Sequence, residues 1–300
     1  MSGIAQMSRK NVDEQLDVLF ERLYRPLRLV GGSPKSLHQH RVAIRHFARF
    51  LERPPRASDL NDLRVSGLLG YLAERSKAIS ANKCVDKILA QWRFLAQQGI
   101  VAKWPNIRKL PEPEIIPLGW LDDELKRLLN ACKRFPGEYS GIPAKKFWPA
   151  LHHVIYDTAE RIGAITELRW EFYDPGSRWL QIPAEIRKGK RKGRIVRLGE
   201  DTAKMLKQIG SPKRQLIFPW AKDLSLLWAE YEKVLTLAKL PTDRRSKFHR
   251  LRRTVASYYK RAGGDARELL GHSSWAVTEK YLDTRITGTV QASDLLPRIA

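Results

Sequence analysis

At 300 residues, of which 43% are hydrophobic, the chain is long enough to bury the cores of two domains or of one large one. Its 55 Lys and Arg residues against 32 Asp and Glu give a formal net charge of +23, so a polyanionic partner is the first expectation. No run of residues resembles a signal peptide or spans a bilayer, and Cys84 and Cys132 fit neither a zinc site nor a disulfide framework, so we expect a soluble protein of a reducing cytoplasm with no membrane partner.

Residues 11–106 are predicted to form a small, all-helical domain. Apolar residues recur there at helical spacing in four segments: 16–27, 42–51, 68–72 and 85–94. Ser36 precedes the second of these segments, and Gln39 lies three positions after Ser36. This spacing predicts that a helix starts at Ser36.

A Pro-rich linker is predicted at residues 107–119. Four prolines, at positions 105, 111, 113 and 117, prevent a continuous helix through this part of the chain. A second domain is therefore predicted to span residues 120–300.

The second domain is predicted to be α+β, with helices around a small antiparallel sheet. It opens with acidic residues 122–124, which suit the first turn of a helix. Two short β-type runs, 179–183 and 194–198, flank a very basic turn that contains glycine and predict a hairpin. Further helical patterns cover three segments: 148–158, 224–240 and 249–261. The predicted fold of the whole chain is therefore mainly α.

Four residues that suit phosphodiester chemistry lie within about thirty positions of one another near the C-terminus. They are His249, Arg252, His272 and Tyr281. Each has an ordinary explanation by itself, because a His-Arg pair on a surface helix is usually solvated and a Tyr before a Leu usually packs. Together they supply the donors and the nucleophile that a metal-free attack on a phosphodiester requires.

These residues stand in motifs that resemble those of a known family. HRLRRT (249–254), LLGHSS (269–274) and TEKY (278–281) look like the carboxy-terminal signature of the tyrosine recombinases, the phage integrase family. Upstream, TAERIG (158–163) resembles the first arginine motif of the family, and IPAE (182–185) with Lys188 resembles its hairpin lysine motif. The helical first domain and its Pro-rich joint are similar to the core-binding domain and linker of the family.

The resemblance implies a site-specific DNA recombinase that works through a 3′-phosphotyrosine and a Holliday junction, without cofactor or metal. It implies double-stranded DNA as partner, held by the two domains as a C-shaped clamp, and a homotetramer on that DNA. The protein would then be cytoplasmic, and associated with the nucleoid when bound to DNA. The implied catalytic residues are Arg161, Lys188, His249, Arg252, His272 and the nucleophile Tyr281.

The sequence departs from the family pattern around the first arginine and in the hairpin. Ala164 occupies the usual acidic position and Ala159 the usual glycine position, so Glu160 or Glu167 is left to supply the carboxylate. The turn is one residue longer than the common spacing, which makes Lys190 an alternative to Lys188 as general acid. The other basic residues between positions 187 and 194 have a simpler explanation as a solvated turn that touches phosphates.

Two other functions share these residues. A topoisomerase-like enzyme would relax DNA with the same cleavage chemistry, and a DNA-binding protein with a decayed site would not cleave at all. Little chain precedes the helical domain, so we expect no separate module for arm-type DNA sites. The tail at 287–300 is expected to dock on a neighbouring protomer through its apolar residues, Val290, Leu295, Leu296 and Ile299.

Overall fold

The apolar stripes of the sequence form two separate cores, one on each side of the Pro-rich segment. The computed structural model describes residues 13–189, 192–211, 213–220, 223–288 and Leu295. One compact unit extends to Glu114, and the other begins at Ile115. Leu110 belongs to the first unit, because its backbone N–H and carbonyl both bond to the Asn82 side chain, at 3.0 and 2.9 Å.

The named elements of the first unit are all helical over its described residues, and residues 98–114 follow them without regular structure. Its core is built from apolar residues of successive helices, among them Phe20, Phe47, Leu68 and Trp92, all nearly inaccessible to solvent. The helices, with a π-helical turn at Phe20–Tyr24 and a 3₁₀ turn at Ala57–Asp59, are α1 (Leu16–Leu19), α2 (Arg25–Arg28), α3 (Pro34–Leu51), α4 (Asp62–Arg75) and α5 (Ala78–Gln97).

The start predicted for α3 at Ser36 is wrong by two residues. The helix begins at Pro34, and the Ser33 side chain accepts a hydrogen bond from the Ser36 N–H at 3.2 Å. A proline suits this first helical position because it lacks the N–H that would have no partner there. Ser33 is therefore the capping residue, and Ser36 lies in the first turn.

The second unit consists of helices around small antiparallel sheets. The strands are β1 (Glu138–Tyr139), β2 (Ile142–Pro143), β3 (Tyr173–Asp174), β4 (Trp179–Ile182) and β5 (Arg194–Arg197). The helices are α6 (Asp122–Arg134), α7 (Ala144–Thr158), α8 (Ile162–Ile165), α9 (Glu200–Ile209), α10 (Leu224–Leu237), α11 (Phe248–Arg261), α12 (Ala266–Leu270), α13 (Trp275–Glu279) and α14 (Thr284–Thr287). The predicted mainly α fold with a small antiparallel sheet is confirmed.

The hairpin predicted from the two β-type runs is formed by β4 and β5. Leu180 of β4 pairs with Val196 of β5 and, on its other side, with Tyr173 of β3, which gives the strand order β3-β4-β5. Leu180 and Ile182 are fully buried, whereas Trp179, the first residue of β4, is half exposed. The alternation fixes the register, because a shift by one residue would expose both apolar side chains.

The core of the second unit surrounds α7. Phe147, Trp148 and Leu151 of this helix are fully buried. Tyr231 of α10 stacks on Phe248 of α11, with ring centroids 4.2 Å apart, and closes the core beside α7. None of the helices in the described ranges is long and apolar enough to cross a membrane. The carboxyl end of α7 and the start of α11 thus come from one rigid core, and both carry residues of the predicted site.

Candidate active site

Arg252 lies on α11 and is almost entirely buried, with 1% of its surface exposed. Its Nη1 donates to the carbonyl of Ala159, and its Nη2 donates to the carbonyl of Leu270 at 2.7 Å. A solvated His-Arg pair on a surface helix is therefore the wrong interpretation for Arg252. The segments that end α7 and α12 cover this side of α11, and the two acceptor carbonyls lie 93 and 18 positions from Arg252 in the sequence.

Arg194 of β5 makes a second bridge between the same two segments. Its Nη2 donates to the carbonyl of Thr158, and its Nη1 donates to the carbonyl of Leu269, both at 2.6 Å. Carbonyls at the carboxyl end of a helix have no partner within the helix, so cationic donors stabilise them well. The two arginines together hold the ends of α7 and α12 side by side.

Arg161 follows the end of α7 by three residues, and His272 follows the end of α12 by two. Ala159 has a left-handed backbone with φ of 50°, and Gly271 has φ of 63°, so the chain turns sharply after both helices. A left-handed residue explains why the family usually has glycine where this chain has Ala159. The turns place Arg161 close enough to His272 for its charge to lower the pKa of the imidazole.

Tyr281 lies beside His272. Their ring centroids are 4.8 Å apart and the rings meet edge to face at 63°. The Tyr281 N–H donates to the carbonyl of Thr278 at 2.8 Å, just after α13, and the Nδ1 of His272 lies 3.2 Å from the Thr278 hydroxyl. The guanidinium carbon of Arg253 is 5.9 Å from the Tyr281 ring centroid. One short segment therefore orients both the imidazole and the phenol.

Both histidines of the site are held neutral near pH 7. Burial, helped by the charges of Arg252 and Arg161, lowers the pKa of His272 to about 4. Partial burial is also the largest cause of the lowered pKa of His249, followed by the charges of Arg252, Arg253, Arg161 and Lys188. The charge of Tyr281 in turn acts to raise the pKa of Arg252. These mutual effects show that the six predicted residues meet in one cluster.

Several polar groups of this cluster are free to meet a ligand. Among the described residues, neither the guanidinium of Arg161 nor the hydroxyl of Tyr281 has a hydrogen-bond partner, and the Nε of Arg252 is buried without one. Lys188 is exposed in the turn that follows the 3₁₀ segment Ala184–Ile186, whereas Lys190 lies outside the described residues. The free donors are all suited to an anion.

The sequence did not reveal the partners of Glu160. This carboxylate is 2% exposed and accepts from Nε and Nη2 of Arg187 at 2.9 and 2.8 Å, with Nη1 of Arg194 at 3.7 Å. Arg187 and Arg194 are mostly buried, so their interpretation as part of a solvated turn is wrong. Glu167, the other candidate for the missing acidic residue, is exposed. The sequence signal that could have predicted this ion pair is an Arg next to Lys188 and a Glu next to Arg161.

The predicted docking tail can be placed only in small part. Of residues 287–300, the structure describes Thr287, Gly288 and Leu295, and Leu295 is 75% exposed. Val290, Leu296 and Ile299 lie outside the described residues. Docking of this tail on a second protomer thus stays a prediction. Over the part of the chain that the structure describes, no group of three His, Cys, Asp or Glu residues could hold a metal ion.

The fold and this cluster define a class of protein that comparison identifies. Residues 120–286, more than half of the chain, match the model of the phage integrase family. The tyrosine recombinase XerC of Agrobacterium fabrum (strain C58) is 28% identical over 260 residues, which cover 79% of this chain and 80% of that relative. The chain therefore belongs to the phage integrase family and is a tyrosine recombinase.

Two solved structures show the same fold. A lambda integrase dimer bound to a COC′ core site matches with a TM-score of 0.69 and 17% identity, over 91% of this chain and 78% of that chain. A lambda integrase tetramer bound to a Holliday junction matches with a TM-score of 0.69 and 18% identity, over the same shares. At these identities the similarity establishes the fold alone.

Proposed function

We propose that the protein cuts and rejoins double-stranded DNA at specific sites, with Tyr281 as the nucleophile that forms a 3′-phosphotyrosine. The observation that carries this proposal is the meeting of Tyr281 with two guanidiniums, two neutral imidazoles and a lysine from separate segments of the second unit. A scissile phosphate bound there would have a nucleophile on one side and donors for its oxygens around it.

His249 is proposed to accept the proton of Tyr281. A free phenol has a pKa near 10 and is a weak nucleophile at neutral pH, so a base must take its proton during attack. The lowered pKa of His249 keeps its imidazole neutral and able to accept this proton. The Oη of Tyr281 then forms a bond to phosphorus as the bond from phosphorus to the 5′ oxygen breaks.

Arg161 and Arg252 are proposed to stabilise the negative charge that grows on the non-bridging oxygens. Arg161 has its whole guanidinium available, and Arg252 keeps its Nε and one N–H on each Nη beyond the two bonds to backbone carbonyls. Because Arg252 is fixed by those carbonyls, it needs no rearrangement when the charge develops. Removal of one preorganised donor of this kind costs about 3–4 kcal/mol of transition-state stabilisation.

His272 is proposed to donate to another phosphate oxygen. Its lowered pKa leaves one ring proton, and the Thr278 hydroxyl at 3.2 Å from Nδ1 can decide where that proton sits. A hydroxyl that donates to Nδ1 leaves the proton on Nε2, where it can reach a phosphate. Thr278 is fully buried in α13, and its hydroxyl lies closer to Nδ1, at 3.2 Å, than to the carbonyl of Ser274, its other acceptor, at 3.5 Å.

Lys188 is proposed as the general acid that gives a proton to the departing 5′ oxygen. It is exposed on the hairpin turn, yet its charge reaches His249 and lowers the pKa of that imidazole. The reverse step uses the same groups, with the 5′-hydroxyl attacking the phosphotyrosine, so the bond energy is kept and no nucleotide is consumed.

Assembly of four protomers around a Holliday junction is the proposed setting of this chemistry, and the docking tail at 287–300 is its proposed contact. Support comes from the lambda integrase tetramer, which has the same fold and is bound to a Holliday junction. The net charge of +23 favours binding to DNA, and hence association with the nucleoid.

The experiment is a single-turnover cleavage assay on duplex DNA that carries a nick beside the scissile phosphate, which traps the covalent intermediate. The wild type should form an adduct that survives denaturation, and Tyr281→Phe should form none. Tyr156→Phe, which removes the hydroxyl of a partly exposed tyrosine, is the matched control and should keep full activity. An adduct formed by Tyr281→Phe, or none formed by the wild type, would contradict the proposal and favour a passive DNA-binding protein.

A further inference from the structure

Glu160 carries a buried carboxylate among the cations that surround the active site. Glu160 has 1% of its side chain exposed and is in contact with Arg187 and Arg194, while its charge also raises the pKa of Arg252. Its second oxygen accepts the backbone N–H of Arg161 at 3.3 Å. A carboxylate is this well buried only where paired donors offset the loss of water.

Arg187 is the main partner of this carboxylate and the residue before Lys188. Its Nε and Nη2 both donate to one oxygen of Glu160, and its Nη1 donates to the carbonyl of Lys192 at 2.6 Å. The bond to Lys192 spans the turn that carries Lys188. One guanidinium thus closes the turn and fastens it to the end of α7.

The same guanidinium also lies against the segment of His272. Nη2 of Arg187 is 3.2 Å from the position that a Cβ on Gly271 would take, so a side chain there would press on the guanidinium. Glu160, Arg187 and Gly271 each directly precede a residue of the proposed site. Their meeting point therefore relates the positions of Arg161, Lys188 and His272 to one another.

We propose that Glu160 and Arg187 are positioning residues for the general acid of the hairpin turn. This inference rests on the proposed role of Lys188 as the acid. Lys188 is exposed and has a flexible side chain, so the place of its backbone decides whether its ammonium can reach the leaving oxygen. Without the ion pair the hairpin keeps its strands β4 and β5 and the bond from Arg194 to Thr158, but the residue before Lys188 is no longer fastened beside Arg161.

The consequence for catalysis is selective. A general acid contributes about 10²–10⁴ in rate only when it lies within hydrogen-bond reach of the leaving atom, and an error of about 1 Å can cost a hundredfold. Loss of the ion pair should therefore slow the step in which the 5′ oxygen is protonated. The turn holds neither Arg252, which is fixed by the carbonyls of Ala159 and Leu270, nor Tyr281, whose N–H donates to the carbonyl of Thr278, so attack and charge stabilisation are expected to persist.

The test compares two nicked substrates that differ in one atom, the oxygen or a sulfur at the 5′ bridging position of the scissile phosphate. A thiolate leaves without protonation, so the sulfur substrate does not need the general acid. Glu160→Gln should cleave the oxygen substrate about tenfold to a hundredfold more slowly than wild type, and the sulfur substrate within about threefold of it. Arg187→Gln should show the same pattern.

Three further variants make the result decisive. Glu167→Gln, the same change at an exposed position, should leave both rates unchanged. The double variant of Glu160 and Arg187 should be no slower than either single variant, because the two act as one unit. Lys188→Ala should be slow on oxygen and restored by sulfur.

Two results overturn the inference. If Glu160→Gln and Arg187→Gln slow both substrates alike, the pair is only structural, and if both variants cleave the oxygen substrate at the wild-type rate, the pair has no role. Failure of the proposed function looks different. In that case Lys188→Ala is not restored by sulfur, or the wild type forms no adduct with Tyr281, whatever the Glu160 variant does.

Discussion

Replacement of Arg252 by Lys separates the structural from the catalytic work of this side chain. The guanidinium donates to two buried carbonyls, those of Ala159 and Leu270, and a single ammonium cannot reach both in the same geometry. A buried carbonyl left without a partner costs about 1–3 kcal/mol. We therefore expect Arg252→Lys to lower the free energy of unfolding by that amount.

The same replacement should also make cleavage depend on pH. Burial, with the nearby charge of Arg161, lowers the pKa of Arg252 from 12.5 to about 10, which still leaves the guanidinium charged at neutral pH. The same environment would lower the pKa of a lysine from about 10.4 to roughly 8. The variant should thus lose its cation between pH 7 and 9, whereas the wild type keeps it.

The assays are urea denaturation and single-turnover cleavage of the nicked substrate at pH 7 and pH 9. At pH 7 the variant should be slower by roughly a hundredfold, because one preorganised, multi-donor group has become a point charge. Its rate relative to wild type should fall further at pH 9. Arg267→Lys, at a half-exposed position, is the control for stability. A variant as stable as wild type, with a constant rate ratio across this pH range, would refute the reasoning.

Two other predictions concern the second unit. Burial holds the pKa of His152 at about 4, against an ordinary value of 6.5, so the unfolded chain takes up the proton first. The free energy of unfolding should therefore fall by up to about 3 kcal/mol as the pH is lowered from about 6.5 to about 4. In urea unfolding at pH 7 and pH 5, His152→Phe should lose less stability between the two pH values than the wild type does. Leu180→Ala should lower the free energy of unfolding by about 2–5 kcal/mol, because Leu180 is buried, whereas Ile195→Ala, at an exposed position on the adjacent strand, should lower it by less than about 0.5 kcal/mol. Equal losses for the two variants in urea unfolding would contradict the strand register.

Local patterns in the sequence were sufficient for the elements that carry the site. The β-type runs around the basic turn predicted the hairpin, and apolar periodicity with a glycine stop predicted the helix at 249–261, observed at Phe248–Arg261. These predictions succeed because alternation and helical spacing are set by which face is buried. The motif residues were recognised by their order and spacing in the sequence, because each of them alone has an ordinary explanation.

The tertiary environment of charged residues could not be read in the same way. Arg252 and Arg194 are buried because helix ends from positions near 159 and 270 cover them, and nothing local to either arginine indicates this. Glu160 and Glu167 were the two candidates for the acidic residue missing at Ala164. The guanidinium partner of Glu160 is Arg187, 27 positions away, and Glu160 meets Arg161 only through the backbone.

The balance of charge at this site explains why it is suited to a phosphate. Arg161, Arg187, Arg194 and Arg252 lie near one another, and among the described residues one buried carboxylate, that of Glu160, faces them. Carbonyls at the ends of α7 and α12 offset part of the positive charge, since a helix carries its negative pole there. The positive charge that is not offset lies at Arg161. Of these four arginines, it is the one whose guanidinium has no partner in the described parts of the chain. In the proposed mechanism a scissile phosphate supplies the anion that this arrangement lacks, and the uncompensated charge of Arg161 would serve to bind it and to stabilise the transition state.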